Sequence, residues 1–422
     1  MRAVLALLCL LVVVQGGLIT ALVWAHLAPP DAATLEVDAA GAATAPSLAA
    51  AAAAWPEEQR AAEVCGTQWQ EAYAALHARL VEQATRRGSA ERVRLAVFDC
   101  GGGQGGYADR LTGLMTVLLL AVLTDRALVV RWAGHEAAVR WAGVDATALL
   151  GHAAAARAGE RRDFRWLQGN RLELAKLTDV PDLNEAWPER VLVFSSNRGF
   201  TQHLLRSHHH SQKRAERHLT TTNAQFGCLF NFLLRPTPRA MRPYAPLLLH
   251  LSDPATYIVG LHVRTGDAAF THPDAARGEA LYARHQFMFD FARQLAARQP
   301  LPYRILLLSD SVPLRQHAAE VEGAALLSPN STVGHVARDP RALSNAVAEH
   351  WLYAASDAFV YSSHSGFPRT AAARALRTDR IFTCFHYEGP LFSEQQGKPR
   401  PARECSGPYT VFELGDRHAA GL

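Results

Sequence analysis

Three apolar runs in the second half of the chain end in residues suited to binding an anion. TYIVGLHV runs into His262-Val263-Arg264-Thr265-Gly266-Asp267, and strand alternation puts His262 and Arg264 on one face. A guanidinium there can meet two phosphate oxygens at once, and the imidazole adds a donor. The same residues also permit an Arg264–Asp267 pair that closes a turn. RILLLSD ends in Ser309-Asp310-Ser311, where a carboxylate can accept bonds from a ribose or base, or cap the next helix. DAFVYSS continues into Ser362-Ser363-His364-Ser365-Gly366-Phe367-Pro368-Arg369, with hydroxyls and a glycine ahead of a helix whose first turn holds Pro368. The free N–H groups of such a helix start form an anion site; a hydroxyl-capped start without a ligand is the plainer reading. Ligands of open α/β sheets sit beyond the carboxyl ends of the strands. Three polar strand ends in one half therefore describe a pocket for a nucleoside diphosphate.

A competing signal lies in the first half. In GGGQGGYADRLTG (101–113), Gly101, Gly103 and Gly106 spell GxGxxG. That dinucleotide fingerprint expects an acid at the end of the second strand. ALVVRW offers Arg131 and Trp132 instead, which at best suits NADP, so an NADP-dependent oxidoreductase rests on the glycines alone. The loop is better read as facing the cleft, its glycines admitting the backbone to the donor, with Asp109 and Arg110 heading the next helix. Ser363-His364-Ser365-Gly366 lacks the first glycine of a nucleophile elbow. No GxxxxGK[ST] phosphate loop is present. Nor is there an Asp-x-Asp for a divalent ion, so no metal is expected, and diphosphate charge falls to Arg, His and backbone donors.

The elements that must position these residues follow from Val93 onward. RLAVFDC, ALVVRW and RVLVFSS, then TYIVGLHV, RILLLSD, DAFVYSS and RIFTCF, are β-rich runs separated by helical stretches. This alternation predicts parallel α/β sheets covered on both faces. The length suits two Rossmann-like domains, 93–245 and 246–422, divided near the proline-rich LLRPTPRAMRPYAPLL. LMTVLLLAVL is too short to span a bilayer and is expected as a buried crossover helix. Residues 56–92 form a helical lead-in that opens on Trp55-Pro56-Glu57-Glu58, and 29–55 is an Ala/Pro-rich stem ending in six alanines. Within 1–28, 25 uncharged residues follow Met1 and Arg2. That is long enough for an uncleaved signal-anchor helix rather than a cleaved signal peptide. Arg2 is expected to keep the N-terminus cytoplasmic, giving a single-pass type II arrangement with the rest of the chain lumenal.

The 422 residues carry a net charge of +4, too mild to call for nucleic acid. LLRSHHHSQKRAERHL (204–219) is expected as a solvated basic loop. Five cysteines (Cys65, Cys100, Cys228, Cys384, Cys405) lie beyond the anchor, so in an oxidising lumen some pair and one is left over. None has zinc-site spacing. The N-x-S/T acceptor is Asn330.

GGYADRLTGL, GLHVRTGD and YSSHSGFPRTAA, in that order behind the N-terminal anchor, resemble the three motif regions of the α1,2-, α1,6- and protein O-fucosyltransferase superfamily. FGCLFNFLLRPT (226–237) resembles the segment before the second domain in some members, and the likeness covers 94–385. It implies a GT-B architecture, two Rossmann-like domains facing a cleft. It also implies inverting transfer of fucose from GDP-fucose to a glycan or glycoprotein acceptor in the Golgi or ER, with no cofactor required. Carried over, Arg264 binds the diphosphate and stabilises the leaving GDP, with His262 beside it, and Asp310 addresses the guanosine. Ser362, Ser363 and Ser365, with the helix start at Gly366, Phe367 and Arg369, hold phosphate oxygens. Gly106, Asp109 and Arg110 complete the donor side. The first motif more usually reads GG-x-G-[DN]-[RQ], with Ala108 here in a glycine position, and Glu349 stands for a family Asp. The base that takes the acceptor proton varies within the family; Asp267, Asp274 and Glu279 are the candidates. A membrane-anchored nucleotide- or sugar-binding protein without catalysis stays open on the same scaffold.

Overall fold

The β-rich runs form two parallel sheets, as their apolar character demands. The computed structural model describes residues 56–86, 92–101, 105–166, 177, 180–197, 199–219, 224–266, 277–331, 334, 336, 340–363, 365–377, 379–386 and 403–409. The expected anchor and stem lie outside the described residues, as do Asp267, Asp274 and His364. No helix among the described residues is long and apolar enough to cross a membrane.

Helices α1 (Pro56–Cys65) and α2 (Gln68–Thr85) lead into β1 (Leu95–Asp99), α3 (Tyr107–Leu123) and β2 (Ala127–Arg131). Then come β3 (Val139–Trp141), β4 (Arg161–Trp166), β5 (Val191–Ser196), α4 (Gln225–Leu233) and β6 (Leu234–Pro236). The second half holds β7 (Tyr257–Val263), α5 (Gly278–Ala296), β8 (Tyr303–Ser309), α6 (Val312–Glu322), β9 (Leu326–Leu327) and α7 (Pro340–Ala354). It closes with β10 (Ala358–Ser362), α8 (Gly366–Arg374), β11 (Ile381–His386) and β12 (Arg403–Tyr409). The first sheet runs β2-β1-β5-β4, all parallel. The second runs β12-β11-β10-β7-β8-β9, parallel except at β11–β12.

Three cores follow from the alternation of side chains. Leu95 and Val97 of β1 face one core, while Ala96 and Phe98 face another. That second core also takes Leu306 and Leu308 of β8 and Phe359 and Tyr361 of β10, so the inner faces of both sheets share it. Val259, Leu261 and Val263 pack on the outer face against α5. LMTVLLLAVL lies in the buried α3. Gly113 in α3 is required by close approach, since a methyl there would collide with the Ser196 carbonyl. Arg374, fully buried on α8, stacks its guanidinium 3.2 Å from the Trp351 ring centroid, and Asn231 of α4 donates to its carbonyl at 2.9 Å. Disulfide Cys65–Cys228 ties α1 to α4, and Cys384–Cys405 staples β12 to β11. Cys100 is a free thiol.

Some elements differ from expectation. RRDFRW forms edge strand β4 without an apolar pattern, because an edge strand needs only one neighbour's ladder. RECSGPY forms β12 because the disulfide and pairing with β11 hold it. The basic segment 204–219 is not a solvated loop. Arg214 is buried and donates to the Leu204 and Ser207 carbonyls at the end of a short helix, and the buried His210 ring meets the Leu177 carbonyl at 3.0 Å.

His77, His210 and His350 are each held below the ordinary histidine range, first of all by burial. The unfolded chain takes up protons at these rings near about pH 6.5, whereas the folded chain resists them. Their contribution is therefore whole above that pH and is lost as the pH falls below it. The thermal midpoint should drop between about pH 7.5 and about pH 5.5, and His350→Gln should flatten the drop. An unchanged slope in that variant removes His350 from the effect.

Candidate active site

From β7 the chain moves to β8 on one side and later returns to β10 on the other. The gap between β7 and β10 is thus the topological switch point of the second sheet, where open α/β sheets hold ligands. Arg264, one residue past β7, stands there, and its backbone N–H donates to Ser362 Oγ at 3.0 Å. Its guanidinium pairs with Asp310 Oδ2 at 2.8 Å and keeps 24% of its side-chain surface exposed. His262 packs against Phe367, with ring centroids 5.6 Å apart. Gly266 has φ +116, a conformation that favours glycine.

A cleft of about 410 Å³ opens over these strand ends. It brings together Gly106, Asp109, His262, Arg264, Asp310, Ser365, Gly366 and Phe367 of the expected residues. The starts of α3 and α8 meet in it from the two halves. A methyl on Gly366 would sit 3.4 Å from the Ala108 methyl, which shows how closely the two helix starts approach. Ser365 precedes α8 without making a side-chain cap bond, and the first residues of that helix, Gly366 and Phe367, line the cleft. On α3, Asp109 instead accepts from the Gly106 N–H at 3.0 Å and stiffens the loop's exit.

Other expected residues fall elsewhere. Ser362 and Ser363 are buried outside the cleft lining; Ser362 holds Arg264, and the Ser363 N–H donates to the Cys384 carbonyl at 3.0 Å. Arg369 is buried and does not line the cleft. Arg110 is drawn away by the Trp132 ring, 5.8 Å from its guanidinium, and by a bond to Cys100. Burial pushes the Cys100 thiol up to about 11, so it stays protonated at neutral pH. Glu279 is exposed in the first turn of α5 and does not line the cleft, because Gly278 packs that helix start against Pro313. Arg131 pairs with Asp99 across β1 and β2 at 3.0 Å.

Asp310 lines the cleft and is bonded to the neighbouring segment. Its Oδ1 accepts from the Thr265 N–H at 2.7 Å and the Thr265 hydroxyl at 2.8 Å, and its Oδ2 from the Gly266 N–H at 3.1 Å. It does not cap α6, which Ser311 does by accepting from the Leu314 N–H at 3.3 Å.

The pair that sequence reasoning left without a role is Arg315–Glu349. Arg315, on the first turns of α6, donates to both Glu349 carboxylate oxygens at 2.9 Å and to the Ser309 carbonyl through Nε at 2.8 Å. It also reaches the Pro329 carbonyl and Ser331 Oγ, and Ser331 bonds Glu349 in turn. The available signal was Glu349 itself, a lone acid inside the apolar stretch AVAEHWLYAA. Among the described residues, no group of three or more His, Cys, Asp or Glu could hold a metal ion.

No protein-family model and no curated protein matches the chain. Solved structures do. A mutant of Arabidopsis thaliana FUT1 in complex with GDP superposes with a TM-score of 0.54 at 13% identity, over 76% of this chain and 79% of that one. The fucosyltransferase NodZ from Bradyrhizobium follows at 0.47 and 16% identity, over 69% of this chain and 96% of NodZ. The first likeness is one of fold: this protein shares the α/β fold of that GDP-complexed plant FUT1 mutant.

Proposed function

We propose that the chain is a glycosyltransferase of the GT-B type that moves fucose from GDP-fucose to a hydroxyl of a glycan or glycoprotein acceptor. The observation that carries this reading is the cleft at the β7/β10 switch point, where Arg264 and the start of α8 converge on one volume. In the reaction, the bond between the fucose C1 and the diphosphate oxygen breaks as the acceptor oxygen bonds C1 from the opposite face. The electron pair leaves with GDP, where the Arg264 guanidinium and the α8 N–H groups meet the added charge. The acceptor proton goes to a base or to solvent. The three sequence motifs and the fold shared with a GDP-complexed protein support GDP as the nucleotide. Two disulfides and the apolar segment near the N-terminus support a type II arrangement in the Golgi or ER membrane, with Asn330 exposed for glycosylation.

GDP should raise the thermal midpoint of the protein more than UDP or NADP does, because a ligand that binds only the folded state stabilises it by about 2.7 kcal/mol at a hundredfold excess over Kd. Equal shifts from all three nucleotides remove the donor assignment, and a larger shift from NADP favours an oxidoreductase. A panel of GDP-fucose, GDP-mannose and UDP-sugars, scored for nucleotide release with mixed glycan acceptors, then separates a transferase from a binding protein.

A further inference from the structure

We infer that Asp310 and Ser362 are positioning residues that act on the donor through Arg264 and do not touch the nucleotide; the inference rests on the donor assignment above. A carboxylate offers about four acceptor sites. All four of Asp310's are taken: Oδ1 by the Thr265 N–H and hydroxyl, Oδ2 by the Gly266 N–H and the Arg264 guanidinium. With a side chain only 4% exposed, it has no lone pair left for a ribose hydroxyl or a base N–H. Apart from a long contact from the Ser309 hydroxyl at 3.5 Å, its bonds run to one segment, residues 264–266, from the end of the strand on one side of β7. From the strand on the other side, Ser362 Oγ accepts the Arg264 N–H at 3.0 Å. The end of β7 is thus gripped from β8 and β10 at once, and the one polar group of this segment that reaches the cleft with exposed surface is the Arg264 guanidinium.

The two roles predict different energetics. Residues that act as one unit give non-additive losses, whereas independent contacts multiply. Calorimetric titration with GDP and with ADP would be run on the full chain, wild type, Asp310→Asn, Ser362→Ala, Arg264→Ala and the Arg264→Ala/Asp310→Asn double variant. Asp310→Asn should weaken GDP binding roughly 30-fold, since one partner of a buried charged pair is lost. The double variant should be no weaker than Arg264→Ala within about twofold. The ratio of GDP to ADP affinity should be unchanged in Asp310→Asn and in Ser362→Ala. Losses that multiply in the double variant, or a GDP-to-ADP ratio that collapses in Asp310→Asn, place the carboxylate on the nucleoside and overturn the inference. Should Asp310→Asn fail to fold, Ser362→Ala, which deletes a single acceptor, carries the same ratio test. A wild-type chain that binds neither nucleotide removes the donor assignment itself, a result distinct from wild-type binding with additive variants.

Discussion

Replacing Arg264 with alanine should lower the rate of nucleotide release from GDP-fucose by about 100- to 1,000-fold while leaving the circular dichroism spectrum unchanged. Removing one preorganised donor that faces developing charge has an effect of this size. The fold should survive because Arg264 keeps 24% of its side chain in solvent, and its anchoring to Ser362 runs through the backbone N–H. Arg264→Lys is the sharper variant. It keeps the charge but loses the planar fork that serves Asp310 and a phosphate together, so it should recover only a small part of the rate. Full activity in Arg264→Ala, measured with saturating donor, would take this residue out of the mechanism.

Glu349→Ala should be the most destabilising single change in the site, by about 3–5 kcal/mol, because it strands the Arg315 charge in the protein interior. The Arg315 and Glu349 side chains are 5% and 11% exposed, and both carboxylate oxygens are engaged. Glu349→Gln, which keeps an acceptor, should cost less. Arg315→Met/Glu349→Leu should recover much of the loss, since a buried pair replaced by apolar side chains removes the desolvation cost of both charges. Denaturant titration reads each value. A shift below about 0.5 kcal/mol for Glu349→Ala would mean that water already reaches the pair. The pair ties α6 to α7 along one wall of the cleft, so nucleotide affinity should fall in parallel with stability.

The strand ends were legible because buried parallel strands are continuous apolar runs, and a polar residue at their carboxyl end interrupts the pattern visibly. His262, Arg264, Ser365 and Gly366 were found this way, and the structure places all four at the cleft. Asp310 was found by the same rule, but its bonds within the protein were not. Its partners at 264–266 come from the adjacent strand, a neighbour that no local pattern announces. Arg369 and Arg110 lay inside matching motifs, yet neither lines the cleft: Arg369 is buried, and the Arg110 guanidinium lies over the Trp132 ring. Glu279 was a candidate only for lack of a better carboxylate.

What the amino-acid sequence determined by itself was the α/β alternation, the identity of most strands and several of the polar residues that line the cleft at their ends. These follow from local periodicity and from residue chemistry, which need no knowledge of what lies opposite. Only the tertiary structure decided the strand order that places β7 beside β10, the meeting of Ala108 with Gly366, and the pairing of Cys65 with Cys228. It also decided whether each charge faces the ligand or another side chain. A carboxylate has a fixed number of lone pairs, and which donors fill them depends on residues brought together by packing rather than by the chain.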